Sequence, residues 1–205
     1  MRLALVTGAT GFIGRHLVPL LLERGDAVRV VVRNPAKFSA LFPDSRNIET
    51  VPGDLADPAC AARAVVGATH VYHLAGVTKA FHPASYYQGN VESTRTFVAA
   101  ILASAHAPER FLHVSSLAAM GPGATPEPPP DYASPAPLTH YGRSKLEGEA
   151  AVRSLAAVCP VTVFRPPVVF GPGDTDVLHF FRAVARGWLP IIGHDRKRVS
   201  VVYAP

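Results

Sequence analysis

The chain has 205 residues, 48% hydrophobic and 17% charged, which is enough apolar mass for one packed domain and excludes a disordered or fibrous chain. Its formal net charge of +5 is scattered over residues such as Arg24, Arg63 and Arg143, so a solvated basic surface is expected rather than a nucleic-acid footprint. Cys60 and Cys159 stand far apart in no CxxC spacing, no apolar run is long enough for a bilayer, and the nine histidines show no metal-ligand spacing; a cytoplasmic protein with no membrane and no metal is expected.

Short β-branched runs alternate with longer helical patterns along the chain. Residues 3–6, 28–32, 48–51, 70–74, 111–114 and 161–164 read as strands, with helical stretches between most of them. Near-continuous apolar strands separated by helices imply a parallel sheet covered on both faces, a doubly wound α/β fold. Such a sheet binds its ligand at the carboxyl ends of the strands, where the strand order reverses.

The first strand runs into Thr7-Gly8-Ala9-Thr10-Gly11-Phe12-Ile13-Gly14. Glycines between a strand and a helix allow a tight turn and close approach of a pyrophosphate to the positive helix end. A plain structural turn is the alternative reading. Pro19 falls inside the helix that follows and removes a backbone bond to Arg15, so a kink is expected there. The second strand ends at Arg33, followed by Asn34 and Lys37, with no carboxylate. A carboxylate there would hold ribose hydroxyls and repel a 2′-phosphate, whereas guanidinium attracts phosphate, so NADP(H) is favoured over NAD(H). Arg33 as a merely solvated strand end is the alternative.

Residues 122–137 are rich in proline and small residues and read as a stiff surface loop, either a flap or a simple connector. The loop separates Ser115-Ser116 from Tyr141-Gly142-Arg143-Ser144-Lys145. Tyr141 and Lys145 are four residues apart, on one face of a predicted helix. An ammonium near the phenol is expected to lower its pKa toward working pH, suiting Tyr141 to proton exchange with a substrate oxygen that Ser116 also bonds. Residues 199–203 read as a strand two residues before the last residue given, so a truncated chain is expected.

These motifs, with Gly53-Asp54-Leu55, His73-Leu74-Ala75-Gly76 and Arg165-Pro166-Pro167-Val168-Val169-Phe170-Gly171-Pro172-Gly173-Asp174, stand in the order that resembles the extended short-chain dehydrogenase/reductases, the NAD(P)-dependent epimerase/dehydratase family. The resemblance spans the whole chain. It implies that residues 1–205 are an NAD(P)-binding Rossmann domain, that residues from about 171 to 205 begin a smaller substrate-binding portion, and that about a hundred further residues, a typical domain increment, would complete it. It implies a cofactor site of Gly8, Thr10, Gly11, Phe12, Ile13 and Gly14, with Arg33 and Lys37 at the ribose. Asp54 and Leu55 would meet the adenine, Ala75 and Gly76 the pyrophosphate and ribose path, and Pro166, Val168 and Val169 the nicotinamide. Ser116, Tyr141 and Lys145 would be the catalytic triad, Tyr141 and Lys145 also touching cofactor. Asn90 would orient backbone or water behind the site, or cap a helix.

Family dehydratases carry an Asp-Glu pair directly after the triad hydroxyl; Leu117 and Ala118 stand there, which disfavours dehydration. Three readings remain: a reductase or dehydrogenase of a carbonyl or secondary alcohol, a nucleotide-sugar epimerase, and a non-catalytic NADP-binding sensor or scaffold. Arg33 tilts toward the first. The resemblance also implies a small-molecule substrate and a homodimer paired through the helices beginning near Asn90 and Tyr141, with faces that include Val98, Ala99, Leu102, Ala150, Ala151 and Leu155. A chain lacking the substrate portion is expected to bind cofactor without appreciable turnover.

Overall fold

A computed structural model describes residues 2–123, 134–188 and 199–205; most of the proline-rich segment expected as a flap or connector lies outside them. Six strands, β1 (Leu3–Thr7), β2 (Ala27–Val32), β3 (Ile48–Pro52), β4 (His70–His73), β5 (Arg110–Val114) and β6 (Val161–Phe164), form one sheet in the order β3-β2-β1-β4-β5-β6. Every pairing in it is parallel. The order reverses between β1 and β4, which places the glycine turn after β1 at the switch point.

Helices α1 (Phe12–Glu23), α2 (Pro35–Leu41), α3 (Pro58–Val65), α4 (Pro83–Tyr87), α5 (Ser93–Leu102) and α6 (His140–Arg153) connect or flank these strands. Their starts follow from local chemistry. Asn34 accepts the Lys37 N–H at α2, Asp57 the Ala59 N–H at α3 and Thr139 the Gly142 N–H at α6, each satisfying a donor the helix cannot. Proline opens α2, α3 and α4, where its missing N–H costs nothing. Helix α1 is capped by Gly11 with no side-chain bond, so its first N–H groups stay open toward the switch point. It runs through Pro19 without interruption, so the disturbance expected at that proline does not end the helix.

Alternation along β1 divides the core between two layers. Leu5 packs with Phe97, Ile101, Phe111, Val152 and Leu155 under α3, α5 and α6, while Ala4 and Val6 pack with Val18, Leu21, Val28 and Phe38 under α1 and α2, as the period of two requires. Val98 and Leu155, offered above as dimer-face residues, belong to this core, whereas Leu102 is 47% exposed. Beyond β6 the chain forms β7 (Val168–Phe170), α7 (Leu178–Ala185) and β8 (Val201–Tyr203), with β7 and β8 paired in parallel as a separate ribbon. No helix among the described residues is long and apolar enough to cross a membrane.

Candidate active site

The carboxyl ends of β1, β4, β5 and β6 surround a cleft of about 760 Å³. Gly8, Gly11, Phe12, Ile13 and Gly14 line one side, Ser116, Tyr141 and Lys145 the other, Gly76 lies between them, and Pro166, Val168 and Val169 also form the wall. Residues from distant stretches of the sequence thus converge on one cavity. Thr10 belongs to the same turn, and the Ala75 N–H is held by the Thr7 hydroxyl at 3.1 Å.

The turn has no room for side chains. Gly8 has a φ of 73°, and a methyl on it would lie 2.7 Å from the Ala75 nitrogen; a methyl on Gly14 would run into the Gly8 carbonyl and Ala9. Open N–H groups on α1 and glycine backbone facing a long cleft suit a phosphate-bearing ligand. A dinucleotide therefore fits the residues present.

Arg33 directly follows β2 at 71% side-chain exposure, 3.6 Å from an Asp54 carboxylate oxygen. The sequence reading did not anticipate this pair. Exposed on both sides, it holds Arg33 only weakly, leaving the guanidinium open to a stronger anion. Lys37 is exposed in the first turn of α2, whereas Leu55 is 5% exposed and packed in the core. Arg33, Lys37, Asp54 and Leu55 are not part of the cleft wall.

On the opposite wall, Ser116 hydrogen-bonds the Tyr141 side chain, but burial is the larger influence and pushes the phenol above its ordinary pKa. This reverses the direction expected above. The Lys145 ammonium is 5% exposed and donates to the Val114 carbonyl at 2.8 Å. Burial lowers its pKa to about 8 against the opposing pull of Glu149.

Asn90 sits in a π-helical turn, Gln88–Glu92, 2% exposed. Its Oδ1 accepts the Val77 N–H at 2.7 Å, while Nδ2 donates to the Val77 carbonyl at 3.0 Å and to Ser144 Oγ at 2.9 Å. Of the two readings open in the sequence, backbone orientation is the one observed. Asn90 fixes the loop after Gly76 to α6.

His73 is buried in a hydrogen-bonded chain. Thr94 donates to the Asn90 carbonyl at 2.8 Å, so His73 Nε2, 3.0 Å from Thr94 Oγ1, must be the donor there. Nδ1 then accepts from Thr7 at 2.8 Å. The ring is held neutral in one tautomer, and burial lowers its pKa to about 3. His113 stacks on it at 5.2 Å, 1% exposed, with neither ring nitrogen partnered.

A buried charge cluster escaped the sequence reading. Glu149, fully buried, accepts from Ser115 at 2.6 Å and from Arg165 Nε and an Arg165 terminal nitrogen at 2.7 and 2.5 Å. Only the spacing of Glu149, one helical turn beyond Lys145, offered a signal. Across the cleft mouth, Arg15 donates to the Gly173 carbonyl and His16 Nε2 lies 3.2 Å from the Pro172 carbonyl, so the segment after β7 is pinned to α1. No cluster of His, Cys, Asp and Glu fit for a metal exists among the described residues.

Residues 4–198 match the NAD dependent epimerase/dehydratase family. Over 97% of its length the chain is 37% identical to a ceramide reductase of Caulobacter vibrioides, covering 56% of that protein. It is 30% identical to a 2-alkyl-3-oxoalkanoate reductase of Stenotrophomonas maltophilia, over 97% of this chain and 61% of the relative. A solved structure, MoeE5 in complex with UDP-glucuronic acid and NAD, superposes with a TM-score of 0.79 at 29% identity, over 98% of this chain and 67% of that one. The chain thus spans little more than half the length of the two reductases it matches. With the family matched over residues 4–198 and a six-stranded parallel sheet in agreement with it, this chain belongs to the NAD dependent epimerase/dehydratase family.

Proposed function

We propose that this chain carries the cofactor and acid/base sites of an NADPH-dependent reductase acting on a ketone borne by an alkyl chain. The carrying observation is the single cleft that joins the glycine turn to Ser116, Tyr141 and Lys145. The name of the 2-alkyl-3-oxoalkanoate reductase supports an alkyl-chain ketone as substrate, and the apolar wall of Val77, Leu117, Ala118 and Val168 is suited to it. The reading was open in the sequence as one of three; an epimerase remains the second, supported by the UDP-glucuronic acid and NAD held by MoeE5.

In this reading Gly8, Gly11 and Gly14 admit the pyrophosphate, Arg33 and Lys37 hold the 2′-phosphate, Asp54 and Leu55 border the adenine, and Gly76, Pro166, Val168 and Val169 flank the nicotinamide. When bound, the reduced nicotinamide supplies a hydride to the carbonyl carbon. Tyr141 gives its phenolic proton to the carbonyl oxygen, Ser116 hydrogen-bonds that oxygen, and the Lys145 charge stabilises the phenolate left behind. The carbonyl becomes a secondary alcohol with one hydride and one proton added. Residues from about 171 to 205 begin the substrate-binding portion, and the exposed Leu102 on α5 contributes to pairing of two copies. The test, on the protein carried through its full reading frame, is NADPH oxidation with long-chain ketones and, separately, product analysis for the epimer of each UDP-sugar, since epimerisation consumes no net NADPH. Turnover of UDP-sugars alone would favour the epimerase.

Two binding results are expected. NADPH binds more tightly than NADH, and Arg33→Ala removes that difference, because a charge-assisted hydrogen bond to phosphate is worth about 1.5–3 kcal/mol, on the order of tenfold to a hundredfold. Fluorescence titration of both proteins with both cofactors decides it; equal affinities in the parent chain refute the assignment. Gly14→Ala weakens both cofactors by at least about tenfold, since the turn must open to clear the Gly8 carbonyl and close helix packing is lost. Unchanged affinity in a folded variant would remove the turn from the site.

A further inference from the structure

We propose that Glu149 is the positioning residue for Lys145, its buried carboxylate lying one helical turn beyond Lys145 on α6 and binding the strand end that carries Ser116 to the helix that carries Tyr141 and Lys145. The functional consequence rests on the role proposed above for Lys145, but the geometry does not.

Three segments meet at this carboxylate. Ser115, adjacent to Ser116 at the end of β5, donates to it at 2.6 Å. Arg165, leading into the Pro166–Val169 wall, grips it with two bonds, at 2.7 and 2.5 Å. Glu149 itself lies on α6 one turn after Lys145, so the two share a face. Lys145 reaches the same strand end through the Val114 carbonyl at 2.8 Å. Shifting any one segment would break bonds to the other two.

The charge balance has a direction. Glu149 has 1% side-chain exposure and Arg165 18%, so the carboxylate is the more desolvated partner and acts in a low-dielectric interior. The other titratable groups around Lys145 add no compensating anion: His73 on β4 and His113 on β5 are held neutral by burial, Tyr141 on α6 is held as the neutral phenol, and Arg165 is cationic. Burial lowers the Lys145 proton affinity and Glu149 raises it. Removing the Glu149 carboxylate is therefore expected to lower the Lys145 proton affinity further.

The chain contains four lysines, so the ε-carbon of isotope-labelled lysine resolves Lys145 by NMR, with Lys145→Met identifying its signal. No cofactor or substrate is needed, so the result stands apart from the proposed reductase activity. In the parent chain Lys145 titrates near the value of about 8 given by its surroundings. In Glu149→Gln its midpoint falls by at least about one unit, a tenfold change in proton affinity. Because Glu149→Gln takes from Arg165 the carboxylate it grips, the double variant Glu149→Gln/Arg165→Met is measured beside it. It should fold and keep the lowered midpoint, which a purely structural tie would not produce. An unchanged midpoint in either folded variant overturns the proposal, as does failure of both to fold. A lowered midpoint with no change in the pH profile of ketone reduction would leave Glu149's role intact and count against the reductase reading.

Discussion

If the proposed reductase reading holds, Tyr141→Phe is expected to lower the rate of ketone reduction by on the order of 10²- to 10⁴-fold, the usual contribution of a positioned proton donor. NADPH affinity should stay within about twofold, because the ring that packs 6.0 Å from Tyr86 is retained and only the hydroxyl is lost. Burial holds this phenol protonated well above neutral pH, so it is loaded with its proton in the reductive direction. Its difficulty is the charge it acquires on giving that proton up. In the proposed mechanism Lys145 relieves that charge only while protonated, so the reduction rate is expected to fall as pH rises through about 8. Stopped-flow NADPH oxidation against pH measures both effects. Near-parental rates in Tyr141→Phe would remove the tyrosine from the chemistry.

The second large effect concerns acid stability. His73 and His113 have pKa values lowered by burial to about 3 and about 2 from 6.5. The unfolded chain binds their protons below pH 6.5 and the folded chain does not, so stability is fully present above 6.5 and is lost as pH falls toward 3. Each neutral histidine steepens the loss by about 1.4 kcal/mol per pH unit, and together by about 2.7. Two units of acidification then consume about 5 kcal/mol, comparable to the whole stability of many domains. Urea unfolding at several pH values gives the slope. His113→Leu should roughly halve it and be neutral or stabilising at pH 7, since it replaces a buried ring whose nitrogens have no partner. An unaltered slope would mean that His113 is charged in the folded chain or does not titrate in this range.

The strands were legible because a parallel sheet buried on both faces writes itself as apolar runs: residues 161–164 coincide with β6, and the other five predicted sheet strands differ by one residue at an end. Ser116, Tyr141 and Lys145 were legible because a family motif marks them, and the cleft brings them together. The direction of the Tyr141 pKa was not, because it depends on how deeply the ring is buried, which the spacing of two residues does not express. Pairings between separated segments were equally hidden. Arg33 was read as free of carboxylates from its local sequence, yet Asp54 arrives beside it from the end of β3. Arg165 and Glu149 meet only because β6 and α6 both border β5. The ribbon of β7 and β8 was half seen, since residues 199–203 showed a strand pattern while Val168–Phe170 was noted only as part of a motif.

Gly148 has a consequence for how such a chain can diverge. A methyl at this position would lie 2.8 Å from the Asn90 carbonyl and 3.7 Å from His113 Nε2, so α6 and the π-helical turn are in contact through their backbones. Beside the Asn90–Ser144 side-chain bond, this close backbone approach leaves little to trim or enlarge. A mutation there displaces Tyr141 and Lys145 together or is lost. Change in what the cleft accepts is accordingly channelled to the wall residues that do carry side chains, Leu117, Val168 and Val177 among them, while the frame holding Tyr141 and Lys145 has little room to vary.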